Sequence, residues 1–94
     1  MWVYLLASKK GGTLYVGGTN SLSRRVSEHR DGEGSEFAHK HRVFRLVYAE
    51  HHDDPDAAIA QEKRIKHWRR AWKIELIESS NPRWNDLYPM AHLD

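Results

Sequence analysis

Cysteine is absent from the 94 residues of the chain. That excludes disulfides, thiolate nucleophiles and zinc held by thiolates, and it suits a cytoplasmic protein. Long hydrophobic runs are also missing. The apolar opening, Met1 to Ala7 (MWVYLLA), falls far short of the roughly 20 residues a membrane-spanning helix requires. A signal peptide would carry its basic residues ahead of such a run, whereas Lys9 and Lys10 follow it. Internal repeats, linkers and low-complexity tracts are lacking as well. A single domain over residues 1–94 with one modest core is therefore expected.

What is present fits a folded, water-soluble chain. Hydrophobic residues make up 39% and charged residues 30%, a balance that argues against disorder. Four tryptophans and four tyrosines supply the bulk that a small core needs. The net charge is only +2, but its distribution is uneven. Basic residues bunch at Arg24-Arg25, from His39 to Arg42 and from Lys63 to Lys73, while acidic ones gather from Asp53 to Asp56 and at the C-terminal end. Clusters of this kind point to a polyanion partner or to solvated helix faces.

The stretch Thr13 to His29 (TLYVGGTNSLSRRVSEH) organises the rest. Trp2–Ala7 reads as a strand buried on both faces, and Ser8–Gly12 as a turn. Thr13–Gly17 pairs back as a second strand, breaking at Gly17-Gly18. On period-two alternation Tyr4 and Tyr15 can share one side of the sheet. Ser21 is the expected N-cap of a helix from Leu22 to Arg30 with Leu22 and Val26 on its apolar side. Arg25 and His29 stand four apart on that helix and project from one face. A strand, a glycine turn and a basic helix in series is a common way to build a site for an anionic group.

Asp31–His41 reads as a polar, glycine-bearing loop, and Val43–Ala49 as a third strand. Asp54 caps a helix that begins at Pro55 and runs to about Arg69, followed by another from about Ala71 to Ser79. Asn81-Pro82 starts a short helical turn that reaches Leu87 and ends at Pro89. Trp68 and Trp72, four apart, read as helix-packing residues. His39, His41, His51 and His52 match no zinc-ligand spacing. The fold class expected is α+β, a small three-stranded antiparallel or mixed sheet flanked by helices in the order β-β-α-β-α-α.

Glu62 breaks the pattern. Ala58, Ile59 and Ile65 form the apolar stripe of the Pro55 helix, and at about 100° per residue Glu62 falls inside it. A carboxylate turned toward the core needs a cationic partner or a bound metal. Two readings stay open: a buried salt bridge to an arginine, or a ligand for a hard cation such as Mg²⁺.

These residues, taken together, resemble the GIY-YIG nuclease family, and in particular its short single-domain bacterial members. Trp2-Val3-Tyr4 sits where the family has its GIY motif and Tyr15-Val16-Gly17 where it has YIG. Arg25 lies eight residues after the YIG glycine, at the spacing of the family's helix arginine, and His29 follows four later. Glu62 matches the metal-binding glutamate, and the run EKRIKHWRRAWKIELIE is close to the short bacterial subset. Trp2 replaces the GIY glycine, which is a departure. Asn81 corresponds to an asparagine that the family places after the glutamate, at a longer spacing here; Asn before Pro is also an ordinary helix cap.

The resemblance implies an endonuclease that hydrolyses DNA phosphodiesters with one divalent cation, Mg²⁺ or Mn²⁺, and with low sequence specificity, in DNA repair or processing. Tyr4, Tyr15, Arg25, His29 and Glu62 would be catalytic, with Glu62 also the metal ligand. Gly17, Thr19, Arg24 and Asn81 would bind substrate. The partner implied is nucleic acid, DNA foremost, with no membrane, and the protein would act as a monomer or weak homodimer. Two rivals remain: a nucleic-acid-binding module that keeps the fold without catalysis, and an adaptor whose basic helices bind a protein.

Overall fold

A computed structural model of the chain describes residues 1–32 and 36–89. Three strands form the sheet: β1 (Trp2–Ala7), β2 (Leu14–Thr19) and β3 (Arg45–His51). Their spatial order is β2-β1-β3, antiparallel throughout. Among the described residues four α-helices accompany the sheet: α1 (Leu22–Arg30), α2 (Glu36–Lys40), α3 (Pro55–His67) and α4 (Arg70–Ser80). The architecture is thus α+β, as the patterning predicts. None of the described helices is long and apolar enough to cross a membrane.

β1 is the central strand, and its residues from Val3 to Ala7 are all buried. Alternation sends them to opposite faces. Val3, Leu5 and Ala7 join Val16 and Val47 under α3 and α4, where Ala58, Ile65, Ile77 and Trp84 complete the layer. Tyr4 and Leu6 join Leu46 on the other face, beneath Leu22 and Val26 of α1 and Ala38 of α2. The β1–β2 turn closes with Ser8 N–H on the Thr13 carbonyl, and Gly11 takes a φ of +71° there. Arg70 at the start of α4 donates to the carbonyls of Gly11 and Gly12, fixing this hairpin against the helices.

Several elements depart from the sequence expectation. β2 does not break at Gly17-Gly18 but runs on to Thr19, because both glycines stay in the ladder opposite Tyr4 and Val3. Of the loop expected over Asp31–His41, residues 33–35 lie outside the described residues and Glu36–Lys40 is helical. β3 begins two residues late and extends to His51, since the Trp2–His51 pair prolongs the ladder. α3 stops at His67, because Trp68 and Arg69 both turn to extended geometry, with ψ of 148° and 153°.

The caps and the C-terminal segment differ as well. Asp54 caps α3 as expected, accepting from Asp56 N–H at 3.0 Å. Ser21 occupies the N-cap position of α1 without a side-chain cap bond. The segment after Asn81 is not a helix: Trp84 has a φ of +58°, and Leu87 N–H donates to the Leu46 carbonyl as a strand-like extension. Ile59, expected in the apolar stripe, is 39% exposed.

Candidate active site

The site forms around the edge of β2. Tyr4 on β1 lies directly across from Gly17, so both belong to the α1 face of the sheet. A β-carbon on Gly17 would sit 2.5 Å from the Tyr4 hydroxyl oxygen and 3.0 Å from a ring carbon of Tyr15. Only glycine leaves room for the two phenols. Gly18 faces the other way, toward α3. A β-carbon there would meet the Glu62 carboxylate at 3.1 Å. Two successive glycines on an edge strand thus admit phenols from above and a carboxylate from below.

α1 brings up the remaining groups. Leu22 and Val26 pin it to the sheet, which turns His29 inward and leaves Arg25 partly open. His29 is 1% exposed, and its Nε2 lies 3.0 Å from the Tyr4 hydroxyl. Its ring also packs edge-on against Tyr15 at 5.1 Å between centroids, while Tyr4 and Tyr15 stand 6.4 Å apart. Tyr4 is buried and Tyr15 only half-buried, so Tyr15 is the phenol with access to solvent.

The electrostatics follow from that packing. Burial, reinforced by Tyr15, pushes the Tyr4 hydroxyl well above its ordinary range, although the Arg25 guanidinium pulls the other way. Burial and then the charge of Arg25 hold the His29 imidazole below its ordinary value, so it is neutral near pH 7. A neutral imidazole has one donor and one acceptor nitrogen. Nε2 is used on Tyr4, whereas the buried Nδ1 has no partner among the described residues, so either tautomer leaves one polar atom unsatisfied. For Arg25, burial opposes the charge, but the Tyr4 hydroxyl and Glu28 outweigh it and raise its pKa.

Glu62 is neither buried in the core nor paired with an arginine. Its side chain is 19% exposed, and its second carboxylate oxygen meets Lys66 Nζ at 3.3 Å, one turn along α3. Ala58 and Ile65 hold that helix face to the sheet, which aims Glu62 at Gly18.

A match to the GIY-YIG catalytic domain spans residues 1–75, which include all five of these side chains. The chain belongs to the GIY-YIG family. Among similar proteins is a UPF0213 protein of Natronomonas pharaonis, 40% identical over 76 residues that cover 81% of this chain and 88% of the relative. A UPF0213 protein of Staphylococcus saprophyticus is 32% identical over 76 residues, covering 81% of this chain and 92% of its own length. The solution NMR structure of a UPF0213 protein from Bacillus halodurans superposes with a TM-score of 0.56 at 28% identity, covering 90% of this chain and 89% of that one.

Within this GIY-YIG domain the structure brings Tyr4, Tyr15, His29 and Arg25 together on one side of β2 and Glu62 on the other. The remaining sequence candidates behave differently. Thr19 ties the β2–α1 turn, with its hydroxyl accepting from Ser21 N–H at 3.1 Å. Arg24 is exposed on α1. Asn81 is not part of the cluster. It is buried, its amide donates to the carbonyls of Val47 and Asn85, and its oxygen accepts from Asn85 N–H. Its hydrogen-bonding capacity serves the turn that follows α4, which makes it a structural residue.

Three neighbours were missed by the sequence reading. Gly18 reads in sequence only as a break, although its missing side chain is what admits Glu62. Lys66 on Glu62 and Glu28 on Arg25 were legible as i,i+4 and i,i+3 pairs of opposite charge on their helices. Trp2, which stands in place of the motif glycine, packs edge-on against His51 at the end of β3.

Proposed function

We propose that the chain is a divalent-metal-dependent endonuclease that hydrolyses phosphodiester bonds in DNA with little sequence preference, in DNA repair or processing. The observation that supports this most directly is the meeting of the Tyr4–Tyr15–His29–Arg25 group and the Glu62 carboxylate at two adjacent glycines of one edge strand. A phosphodiester lying along that edge would reach both.

The fit to a metal rests on the donor chemistry at Gly18. Among the described residues no group of three or more His, Asp or Glu could hold an ion. Glu62, partly exposed beside Gly18, offers one hard oxygen ligand, the kind of donor that Mg²⁺ or Mn²⁺ takes together with water and substrate phosphate. Bound there, the cation would supply charge neutralisation at a phosphate oxygen and at the departing 3′ oxygen.

The chain's own residues divide the other tasks according to exposure. Tyr15, the accessible phenol, serves as general base once it has released its own proton to solvent; as the phenolate it takes the proton of the attacking water and becomes the neutral phenol again. Tyr4 is buried with a raised pKa and keeps its own proton; joined to His29, it walls the site and holds the imidazole against Tyr15. Arg25, charged and partly open, contacts the phosphate and stabilises the added negative charge of the transition state with its planar fork. Lys66 keeps Glu62 aimed along the helix until substrate arrives.

The test is incubation with supercoiled DNA in Mg²⁺, Mn²⁺ or chelator, beside Glu62→Ala, Arg25→Ala and Tyr15→Phe. Nicking that needs the cation and is lost in all three variants is expected. Cutting that survives in the variants or in chelator would remove the proposal. Tight binding without cation-dependent cutting would instead indicate a nucleic-acid-binding module on the same fold.

A further inference from the structure

The α3–α4 junction carries a second concave surface, separate from the glycine edge. Trp68 and Arg69 leave helical geometry together, so α4 sets off in a new direction and Trp72 comes back toward Trp68. The two indoles form a corner, 81° between planes and 6.1 Å between centroids. With Glu75, Leu76 and Ser79 they line a cavity of about 420 Å³. Trp68 backs onto the core, whereas Trp72 is 49% exposed, so core packing does not account for it.

The surroundings narrow what this corner could take. Neither indole N–H has an acceptor among the described residues, in contrast to Trp84, whose N–H donates to Glu78 at 2.8 Å. The Arg69 guanidinium lies 5.0 Å over the Trp72 ring, and Lys73 Nζ donates to the Lys66 carbonyl at 3.3 Å. Arg69 and Lys73 against the carboxylate of Glu75 leave a positive excess that favours an anionic ligand, Lys66 being engaged by Glu62, and the apolar area is only two rings and a leucine. A flat aromatic group attached to a phosphate satisfies both conditions.

We propose that this corner is a base-binding subsite, which stacks one unpaired nucleobase of a DNA strand against an indole while Arg69 meets the adjoining phosphate. This rests on the nuclease reading and names the substrate class: DNA with an unpaired nucleotide beside the scissile bond, as in overhangs and flaps. Glu75 would accept from an exocyclic base amine.

The test compares duplexes carrying a short adenine overhang with the same duplexes whose overhang is abasic, by fluorescence anisotropy in EDTA. The backbone charge is equal in the two probes, so only the bases differ. About tenfold tighter binding of the base-bearing overhang is expected. Trp72→Ala should erase that ratio while changing affinity for the abasic probe less than twofold, and Trp72→Phe should retain most of it. Equal affinity of the wild type for both probes, or equal weakening of both by Trp72→Ala, would overturn the proposal. So would a wild-type dimer in sedimentation that Trp72→Ala dissociates, since a second copy would then own the corner. Cleavage of plain duplex in Mg²⁺ reports separately on catalysis: a base effect that persists without cleavage supports the subsite and removes the nuclease reading.

Discussion

Gly17→Ala is the sharpest perturbation of this site, because its consequence can be worked from distances. The added methyl would lie 2.5 Å from the Tyr4 hydroxyl oxygen, 2.6 Å from the adjoining ring carbon and 3.0 Å from Tyr15. Neither glycine has a positive φ, so the cost is steric and not conformational. Relief requires Tyr4 to swing off the strand, and overpacking of this kind costs ~1–3 kcal/mol. Moving Tyr4 also breaks its 3.0 Å contact with His29, whose Nδ1 is already unpartnered. Leaving the second nitrogen without a partner adds roughly 1 kcal/mol.

A total of about 2–4 kcal/mol is a large share of the roughly 5–14 kcal/mol expected for a domain of this size. At about 4–8 °C per kcal/mol, the thermal midpoint should drop by about 8 °C or more. Gly18→Ala is the control. Its methyl meets the mobile end of Glu62 at 3.1 Å, so the carboxylate can turn aside. That variant should melt within a few degrees of wild type but lose cation-dependent cutting. Thermal unfolding by circular dichroism decides the matter. A Gly17→Ala midpoint equal to wild type would refute the claim that the phenols occupy the space a side chain would need.

Other expectations follow from the same geometry. Arg25→Ala should reduce cleavage by about 10²–10³-fold, as measured by single-turnover nicking, with little change in melting because its pair with Glu28 is partly exposed. Asn81→Ala should do the reverse: losing three internal hydrogen bonds costs about 2–4 kcal/mol in a denaturant melt, while DNA affinity of the folded fraction stays unchanged. Acidification should destabilise the fold through His29. Its folded pKa lies below the ordinary value, so stability is full above about pH 6.5. It falls as the pH drops through that value and the unfolded chain takes up a proton that the folded chain refuses. Melts from pH 7 to 5 should show the decline, and His29→Gln should flatten it. Asp86, which burial would raise but the Arg30 hydrogen bond holds low, adds its own loss at more acid pH.

Much of this was readable from the chain. The unbroken apolar run TrpValTyrLeuLeuAla marks a strand covered on both sides, and it becomes the centre of the sheet. The spacing from Arg25 to His29 placed both on one helix face, whereas the apolar stripe around Glu62 is only partly formed: Ala58 and Ile65 are buried, Ile59 is exposed and Glu62 lies at the stripe's margin beside Gly18. What escaped depends on distant partners. Glycine pairs usually signal a turn, but Gly17 and Gly18 stay in the ladder because groups from β1 and α3 need the space beside them. Asn81 before proline resembles a cap or a ligand, and only the fold reveals the Val47 carbonyl that claims its amide. Two tryptophans four apart imply one packed face, whereas the extended Trp68-Arg69 pair divides them between different helices.

The central position of β1 has a consequence for how the domain comes apart. Val3 and Leu5 belong to one layer and Tyr4 and Leu6 to the other, so every second residue of a single six-residue strand anchors each half. Peeling away either set of helices would strip one side of that strand and leave its hydrogen-bonded neighbours without backing. The amides of β1 should therefore exchange with solvent only when the entire molecule opens, whereas those of the short α2 helix are released by local fraying.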